Sequence, residues 1–212
     1  MHLACASFNG SGPIRACLLL TCALLTCALA LGLGAEPSVC DFSLVSLDGK
    51  EIPLKTYQGK VLLIVNMASQ TVYSGQIPKL DALYKAYAPQ GLVVLGIPSD
   101  DFGHGEPAKP DEIKAYYQDK LHVTFPVFAK SALTGKDQIP LYEYLTDAKL
   151  NAKTGGELPW NFTKYLIGRD AKPVLRFDAG TPPDSPELMA AIENELEKKP
   201  GEKKPAEKES AR

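Results

Sequence analysis

Two apolar runs dominate the pattern of hydrophobic and polar residues in the middle of the chain. Residues 61–65 and 92–97 are apolar apart from Gly96, a pattern typical of strands that are buried on both faces. Between these runs, apolar and aromatic residues recur at helical spacing over residues 80–87, and we expect that helix to end before Pro89. Strand, helix and strand in this order predict a βαβ unit, with parallel strands and a right-handed crossover.

The residues that follow this unit predict three more helices and a hairpin. The predicted segments are a helix from Pro110 through Tyr117, a helix opened by Pro140, strands at 162–167 and 174–177, and a helix from Glu187 to about Lys198. Together with the βαβ unit they indicate an α/β protein with a thioredoxin-like fold, in which helices flank a mixed central sheet. Binding and catalytic sites of open α/β sheets lie at the carboxyl ends of parallel strands. Here that edge corresponds to residues 66–74 and 98–107.

The amino-terminal end has the pattern of a leader. Residues 16–33 contain no charged residue and 15 apolar ones, follow Arg15, and lead into the small residues Gly34 and Ala35. A basic flank, an apolar core and a small-residue exit are typical of a secretory signal peptide. We therefore expect residues 1–34 to export the protein, into a periplasm or out of the cell. An apolar stretch of this length also reaches the lower limit for a spanning helix, so an uncleaved membrane anchor is the alternative.

The carboxyl-terminal end is charged and has no large apolar residue. Residues 198–212 carry six Lys or Arg and three Glu, so we expect a disordered tail. One domain then occupies residues 35–197, which is enough chain for a single well-formed core. A chain of 212 residues with 45% hydrophobic residues and a net charge of -2 is neither fibrous nor wholly disordered, and no nucleic-acid partner is expected.

The distribution of cysteines limits the chemistry of the domain. Four of the five cysteines belong to the leader, namely Cys5, Cys17, Cys22 and Cys27. The domain keeps only Cys40, which excludes a disulfide framework within it. The usual structural zinc sites are excluded as well, because only His104 and His122 could accompany that thiol. Any reaction of the domain that needs a cysteine must therefore use Cys40.

Several short motifs resemble those of the glutathione peroxidase family in their order and spacing. The matching stretches include GKVLLIVN at 59–66, Ala68-Ser69, Gly96-Ile97-Pro98, Phe102-Gly103, Glu106-Pro107, FPVF at 125–128, Pro140-Leu141-Tyr142 and WNFTK at 160–164. The resemblance extends over most of residues 41–195. It implies a thioredoxin fold and descent from hydroperoxide reductases of the oxidative stress response, which draw electrons from glutathione or a thioredoxin-like protein. No cofactor is expected.

The same resemblance bears on the oligomeric state. The segment between Phe128 and Trp160 is too short for the additional loop that the tetrameric members of the family use. We therefore expect a monomer, which would contact a membrane only if the leader is retained.

The chain departs from the family pattern at the site itself. The family places a selenocysteine or cysteine where this chain has Thr71, and a glutamine where it has Asp101. A cysteine that is common after the Gly-x-Pro motif is replaced by Ser99. Of the four family site positions, only Trp160 and Asn161 carry the family residue.

These departures predict a loss of peroxidase activity. Reduction of a hydroperoxide needs a thiolate or selenolate that can pass through a sulfenic or selenenic acid, and a threonine hydroxyl has no such oxidation states. A carboxylate at Asp101 would also disfavour a thiolate beside it. Cys40 is no substitute, because in the family its segment lies away from the site. The sequence thus indicates a pseudoenzyme with a binding or scaffold role, for which glutathione, a thioredoxin-like protein or a hydroperoxide are the partners that the resemblance implies.

Two questions stay open at this stage. The alternative function is an active peroxidase, or an enzyme of altered chemistry on the same scaffold. For such chemistry, the loop with Asp100, Asp101, His104 and Glu106 offers oxygen and imidazole ligands, although its spacing matches no strong metal signature. Trp160 and Asn161 are compatible either with a retained pocket or with ordinary core packing.

Overall fold

A computed structural model of the protein describes residues 36–107 and 109–199. The leader predicted at 1–34 lies outside the described residues, and so does the tail predicted at 198–212 apart from its first two residues. Everything below concerns the unit that begins at Ser38. Among the described residues, no helix is long and apolar enough to cross a membrane.

A mixed sheet lies at the centre of this unit. The strands are β1 (Ser43–Val45), β2 (Glu51–Pro53), β3 (Val61–Met67), β4 (Leu92–Pro98), β5 (Lys164–Ile167) and β6 (Pro173–Phe177). Strands β1 and β2 form a separate antiparallel hairpin, and the others form one sheet in the order β4-β3-β5-β6. Strand β3 is parallel to β4 and antiparallel to β5, and β5 is antiparallel to β6. The predicted mixed sheet, parallel pair and hairpin are confirmed.

Helices flank the sheet as predicted. They are α1 (Gln76–Tyr87), α2 (Pro110–Lys114), α3 (Pro140–Thr146) and α4 (Pro186–Glu197). Helix α2 continues directly into a π-helix, Ala115–Lys120, which runs beyond the predicted end at Tyr117. The amino terminus of α4 is capped, because the Ser185 hydroxyl accepts a hydrogen bond from the Leu188 N–H at 3.3 Å and proline occupies the first turn.

Strand β3 explains why the central run of the sequence is apolar without interruption. Val61, Leu63 and Val65 pack into a core layer with residues of α1 and α4. Leu62 and Ile64 point to the opposite face and pack with residues of α3 and β5. Both faces of the strand are buried, as the continuous apolar pattern predicts.

Candidate functional site

The carboxyl ends of β3 and β4 lie side by side because the two strands are parallel, with Met67 opposite Pro98. The loop after β3, residues 68–71, is called the site loop below. Two hydrogen bonds join the end of β3 and the site loop to the loop after β4: the Ser99 N–H donates to the Met67 carbonyl at 2.9 Å, and the Gln70 N–H donates to the Gly105 carbonyl at 2.8 Å. The two loops predicted to form the site are therefore in contact.

Thr71 ends the site loop and is only partly buried. Its hydroxyl donates to the Ala68 carbonyl oxygen at 3.2 Å. Its methyl group fills the space beside Gly105, since a Cβ added at Gly105 would lie 2.5 Å from Thr71 Cγ2. Thr71 therefore closes a turn and packs against the opposite loop, with its hydroxyl proton directed at a backbone oxygen.

Asp101 is exposed, and its carboxylate binds a different segment of the chain. Asp101 Oδ2 accepts hydrogen bonds from the Leu133 N–H at 2.5 Å and the Thr134 N–H at 3.0 Å. Its own N–H donates to Ser99 Oγ at 3.3 Å. That this carboxylate acts as a charge beside position 71 stays a prediction; in the structure it serves as a backbone acceptor that fixes the turn at 133–134.

Trp160 and Asn161 connect the start of β5 to the loop after β4. Asn161 is fully buried, and its Nδ2 donates to the Phe102 carbonyl at 2.9 Å. The Trp160 side chain is 46% exposed and lies 5.8 Å from the Phe102 ring, centroid to centroid. The Trp160 carbonyl accepts from Asn66 Nδ2 at 3.0 Å. Asn161 thus belongs to the packed core, whereas Trp160 is half exposed at the surface of the site.

The four predicted site residues fall into two groups around the loop after β4. Thr71 contacts this loop at Gly105, and Trp160 and Asn161 contact it at Phe102, next to Asp101. Asn66, at the end of β3, also belongs to the site although the sequence analysis gave it no role. Its Oδ1 and the Asn161 Oδ1 are both buried without a hydrogen-bond partner among the described residues.

Glu106 is, after Asn66, the second residue whose position in the site the sequence analysis did not predict. It is 4% exposed, and its Oε2 accepts from the Ser69 N–H at 2.5 Å and the Tyr117 hydroxyl at 3.1 Å. Burial raises the pKa of Glu106 to about 7, although the hydrogen bonds from Ser69 and Tyr117 act in the opposite direction. The Glu-Pro motif marked this position in the sequence, but no local signal indicated that the carboxyl is buried.

Comparison with known proteins identifies the family. The sequence model described as glutathione peroxidase matches residues 39–146. The chain belongs to the glutathione peroxidase family. It is 42% identical to a hydroperoxy fatty acid reductase of Synechocystis sp. over 154 residues, which are 73% of this chain and 96% of that protein. The sequence-based identification is thereby confirmed.

Solved structures agree with this assignment. The crystal structure of Trgpx in its apo form has a TM-score of 0.63 and 31% identity, covering 78% of this chain and 99% of that one. A thiol:disulfide interchange protein of the thioredoxin family from Chlorobium tepidum has a TM-score of 0.56 at 16% identity, with 77% and 98% of the two chains covered. The second likeness concerns the fold alone, and it confirms the thioredoxin-like prediction.

In this member of the glutathione peroxidase family, the side chains of the loop considered as a metal site, residues 100–106, have different partners and do not converge on one point. Asp101 binds the 133–134 backbone, and Glu106 turns inward to Ser69. Asp100 Oδ1 accepts the Glu106 N–H at 3.2 Å, and Asp100 Oδ2 lies 3.4 Å from His104 Nδ1. Within residues 36–107 and 109–199, no three His, Cys, Asp or Glu side chains are grouped closely enough to hold a metal ion.

Cys40 lies far from the family's catalytic position. It lines a cavity of about 340 Å³ together with Gly59, Arg169 and Asp170. Gly59 precedes β3 whereas Thr71 follows it, and the seven residues of β3 span roughly 20 Å at the usual rise of a strand. Burial raises the pKa of the Cys40 thiol, which disfavours the reactive thiolate. Cys40 is the free cysteine of the described residues, and it is at the wrong end of the sheet for the site.

Proposed function

We propose that this protein is an exported member of the glutathione peroxidase family that has lost thiol peroxidase chemistry and uses the old active-site cleft to bind a ligand. The main observation that supports the proposal is the position of Thr71 and the contacts that it makes. It occupies the family's nucleophile position, its hydroxyl donates to the Ala68 carbonyl at 3.2 Å, and its methyl group packs against Gly105.

The chemistry of the family cannot proceed through such a residue. In a thiol peroxidase, a thiolate attacks one oxygen of the O–O bond, the alcohol leaves, and the resulting sulfenic acid is reduced by thiols. A threonine oxygen has no oxidation states to cycle through. Cys40 offers a thiol, but one at the opposite end of β3 with a raised pKa.

A binding role is supported by the surface around the site. Val72 directly follows the site loop and is 92% exposed, and Trp160 is half exposed beside Phe102. Exposed apolar side chains that surround a few polar atoms are typical of ligand sites. At this place the amide oxygens of Asn66 and Asn161 are buried without a partner among the described residues, so a ligand that reaches them would find free acceptors. Since one relative is named a hydroperoxy fatty acid reductase, we infer an acyl ligand whose polar group donates a hydrogen bond.

Export is supported by the leader pattern of residues 1–34. If the leader is cleaved, the mature protein recovered from the exported fraction has lost the mass of about these residues. Recovery of the full-length chain from the membrane fraction would favour the anchor instead, and full-length soluble protein inside the cell would contradict export.

A direct activity assay tests the loss of peroxidase chemistry. The purified full chain receives hydrogen peroxide or linoleic acid hydroperoxide with either glutathione or a thioredoxin system, and we expect no turnover above the uncatalysed rate. Turnover that persists in a Cys40→Ser variant would refute the proposal. In the double variant Thr71→Cys with Asp101→Gln, recovered turnover would indicate that the scaffold keeps the family geometry, whereas continued inactivity would indicate that the cleft has been remodelled further.

Ligand binding can be measured through Trp160, because it is the only tryptophan of the chain. We expect linoleic acid hydroperoxide to change its fluorescence and the short tert-butyl hydroperoxide to leave it unchanged. Val72→Ser should weaken binding roughly 5- to 10-fold, the effect of losing about 1 kcal/mol of apolar contact. Leu175→Ser on β6, which also removes an exposed apolar side chain, is the matched control. The absence of any fluorescence change, or equal weakening in both variants, would contradict acyl binding at this site.

A further inference from the structure

The carboxyl group of Glu106 is buried where three segments of the chain meet. The loop after β4 carries Glu106 itself, the site loop contributes the Ser69 N–H, and the π-helix that follows α2 contributes the Tyr117 hydroxyl. Both groups donate to the same oxygen, Oε2, at 2.5 and 3.1 Å. Glu106 is thus the side chain that connects the site loop to the body of the domain.

A second contact ties the site loop at the same place. The Gln70 N–H donates to the Gly105 carbonyl at 2.8 Å, and the Thr71 methyl group packs against Gly105. Three consecutive residues of the site loop are therefore held by only two residues of the opposite loop, Gly105 and Glu106. A change at Glu106 acts directly on the loop that occupies the family's catalytic position.

The surroundings of Glu106 do not complete the pairing of an ionised carboxylate. Glu106 Oε1 and Ser69 Oγ are both buried without a partner at full hydrogen-bond geometry among the described residues, although the Ser69 side chain is near enough to favour the ionised form of Glu106, against the larger effect of burial. Lys130 is the nearby cation that favours the ionised form, but its ammonium group donates to the Pro107 carbonyl at 3.0 Å. An unpaired buried charge is costly, because it loses its hydration without regaining an equivalent partner.

The other titratable groups near Glu106 add little compensation. Asp100 accepts the Glu106 N–H at 3.2 Å and brings a carboxylate close to it. His104 lies on the outer side of Asp100, where it is largely exposed. Tyr117 faces the carboxylate as a hydrogen-bond donor, and its ring packs edge-to-face against Tyr116. Burial is the main reason that the pKa of Glu106 is raised to about 7.

We propose that Glu106 holds the site loop in a proton-dependent way: with its carboxyl protonated the loop stays closed on Gly105 and Glu106, and loss of that proton releases it. The proposal rests on the proposed function in one respect, since the site loop leads directly into the exposed Val72 of the proposed binding surface. It makes access to the cleft depend on pH near neutrality.

The direction of the effect follows from proton linkage. If the open loop gives Glu106 its ordinary pKa of 4.5, the closed state binds more protons than the open state between that pH and about 7. The proton therefore stabilises closure fully below pH 4.5, and this stabilisation is lost as the pH rises through 7. We expect the open population to increase up to about 100-fold between pH 5 and pH 8.

Amide hydrogen exchange on the full chain measures this opening directly. After correction for the intrinsic pH dependence of exchange, the protection of the Ser69 and Gln70 amides should fall by up to about 100-fold from pH 5 to pH 8. The Leu166 amide in the central strand β5 reports on global unfolding, which also exposes Glu106, so its protection should also fall but should stay well above that of Ser69 and Gln70 at every pH. Glu106→Gln keeps an oxygen acceptor but cannot titrate, and its profile should be flat. Glu112→Gln, which alters an exposed glutamate on α2, should keep the wild-type profile.

Two results would overturn the proposal. One is a flat profile for the wild-type Ser69 and Gln70 amides, or protection of these amides equal to that of Leu166 at every pH, which would indicate global rather than local opening. The other is a Glu106→Gln variant that retains the wild-type slope. If that variant does not fold, the comparison of Ser69 with Leu166 in the wild type still distinguishes local opening of the site loop from global unfolding. Because the readout needs neither ligand nor turnover, a positive peroxidase assay would refute the proposed function without affecting this result.

Discussion

Lys164 allows a quantitative test of how the burial of a charged side chain affects the stability of the domain. It lies on β5 and is fully buried, and its Nζ donates one hydrogen bond, to the Phe162 carbonyl at 2.8 Å. Burial lowers the pKa of Lys164 to about 8, with Asp178 acting weakly in the opposite direction. The strand therefore holds an ammonium group that would be more stable in water.

The magnitude of this effect follows from the pKa. A decrease from 10.5 to about 8 corresponds to about 3 kcal/mol of lost stability while the lysine is charged in both states. Between pH 8 and 10.5 the unfolded chain binds more protons than the folded one, so this loss diminishes as the pH rises. Lys164→Met removes the buried charge but also a hydrogen bond worth about 1 kcal/mol. We expect the variant to be about 2 kcal/mol more stable at pH 7 and to lose this advantage near pH 10.

Urea denaturation at pH 7 and pH 9.5 measures the difference. Lys149→Met, at an exposed position of the loop after α3, is the matched control and should change the free energy of unfolding by less than about 0.5 kcal/mol at both pH values. A Lys164→Met variant that is less stable than the wild type at pH 7, or a difference that does not change with pH, would refute the reasoning.

Two further predictions concern the loops of the site. Asp101→Ala removes the acceptor of the Leu133 and Thr134 N–H groups and should lower the free energy of unfolding by about 1–2 kcal/mol, as measured by urea denaturation. Asp119→Ala, at an exposed position, is the control and should have little effect. Equal effects of the two variants would contradict the role assigned to Asp101. Gly105→Ala places a Cβ 2.5 Å from Thr71 Cγ2 and should cost about 1–3 kcal/mol. Thr71→Ser should restore most of that loss in the double variant, and an unchanged loss would rule out this contact as the cause.

The sequence predicts the parts of the fold in which a long pattern is repeated. Strands β3 and β4 are continuous apolar runs, and α1 shows helical spacing, so the site-bearing edge of the sheet is predictable. The β1–β2 hairpin is missed because each of its strands has three residues, too few for an alternating pattern to be recognised. The π-helix at Ala115–Lys120 likewise has no separate sequence signal, since its apolar residues also suit an α-helix.

The site is harder to predict because side-chain direction depends on distant contacts. Thr71 and Asp101 can be located from the family motifs, but the partners of Asp101 lie about 30 residues away, at Leu133 and Thr134. Polar loop residues are usually exposed, which makes Glu106 look like an ordinary loop residue. Its burial results from Ser69 and Tyr117, which only the folded chain brings to it. The burial of Lys164 is equally hard to predict from the sequence, because it also depends on the folded chain around β5, whose other residues are apolar or aromatic.

The location of Cys40 has a practical consequence for studying this domain. After residue 34, the chain contains one cysteine and one tryptophan, and they lie near opposite ends of β3. A small acceptor dye attached to the half-buried thiol of Cys40 would pair with Trp160 as a natural donor for resonance energy transfer. Movements at the cleft could then be followed as changes in transfer efficiency, with no substitution in the domain.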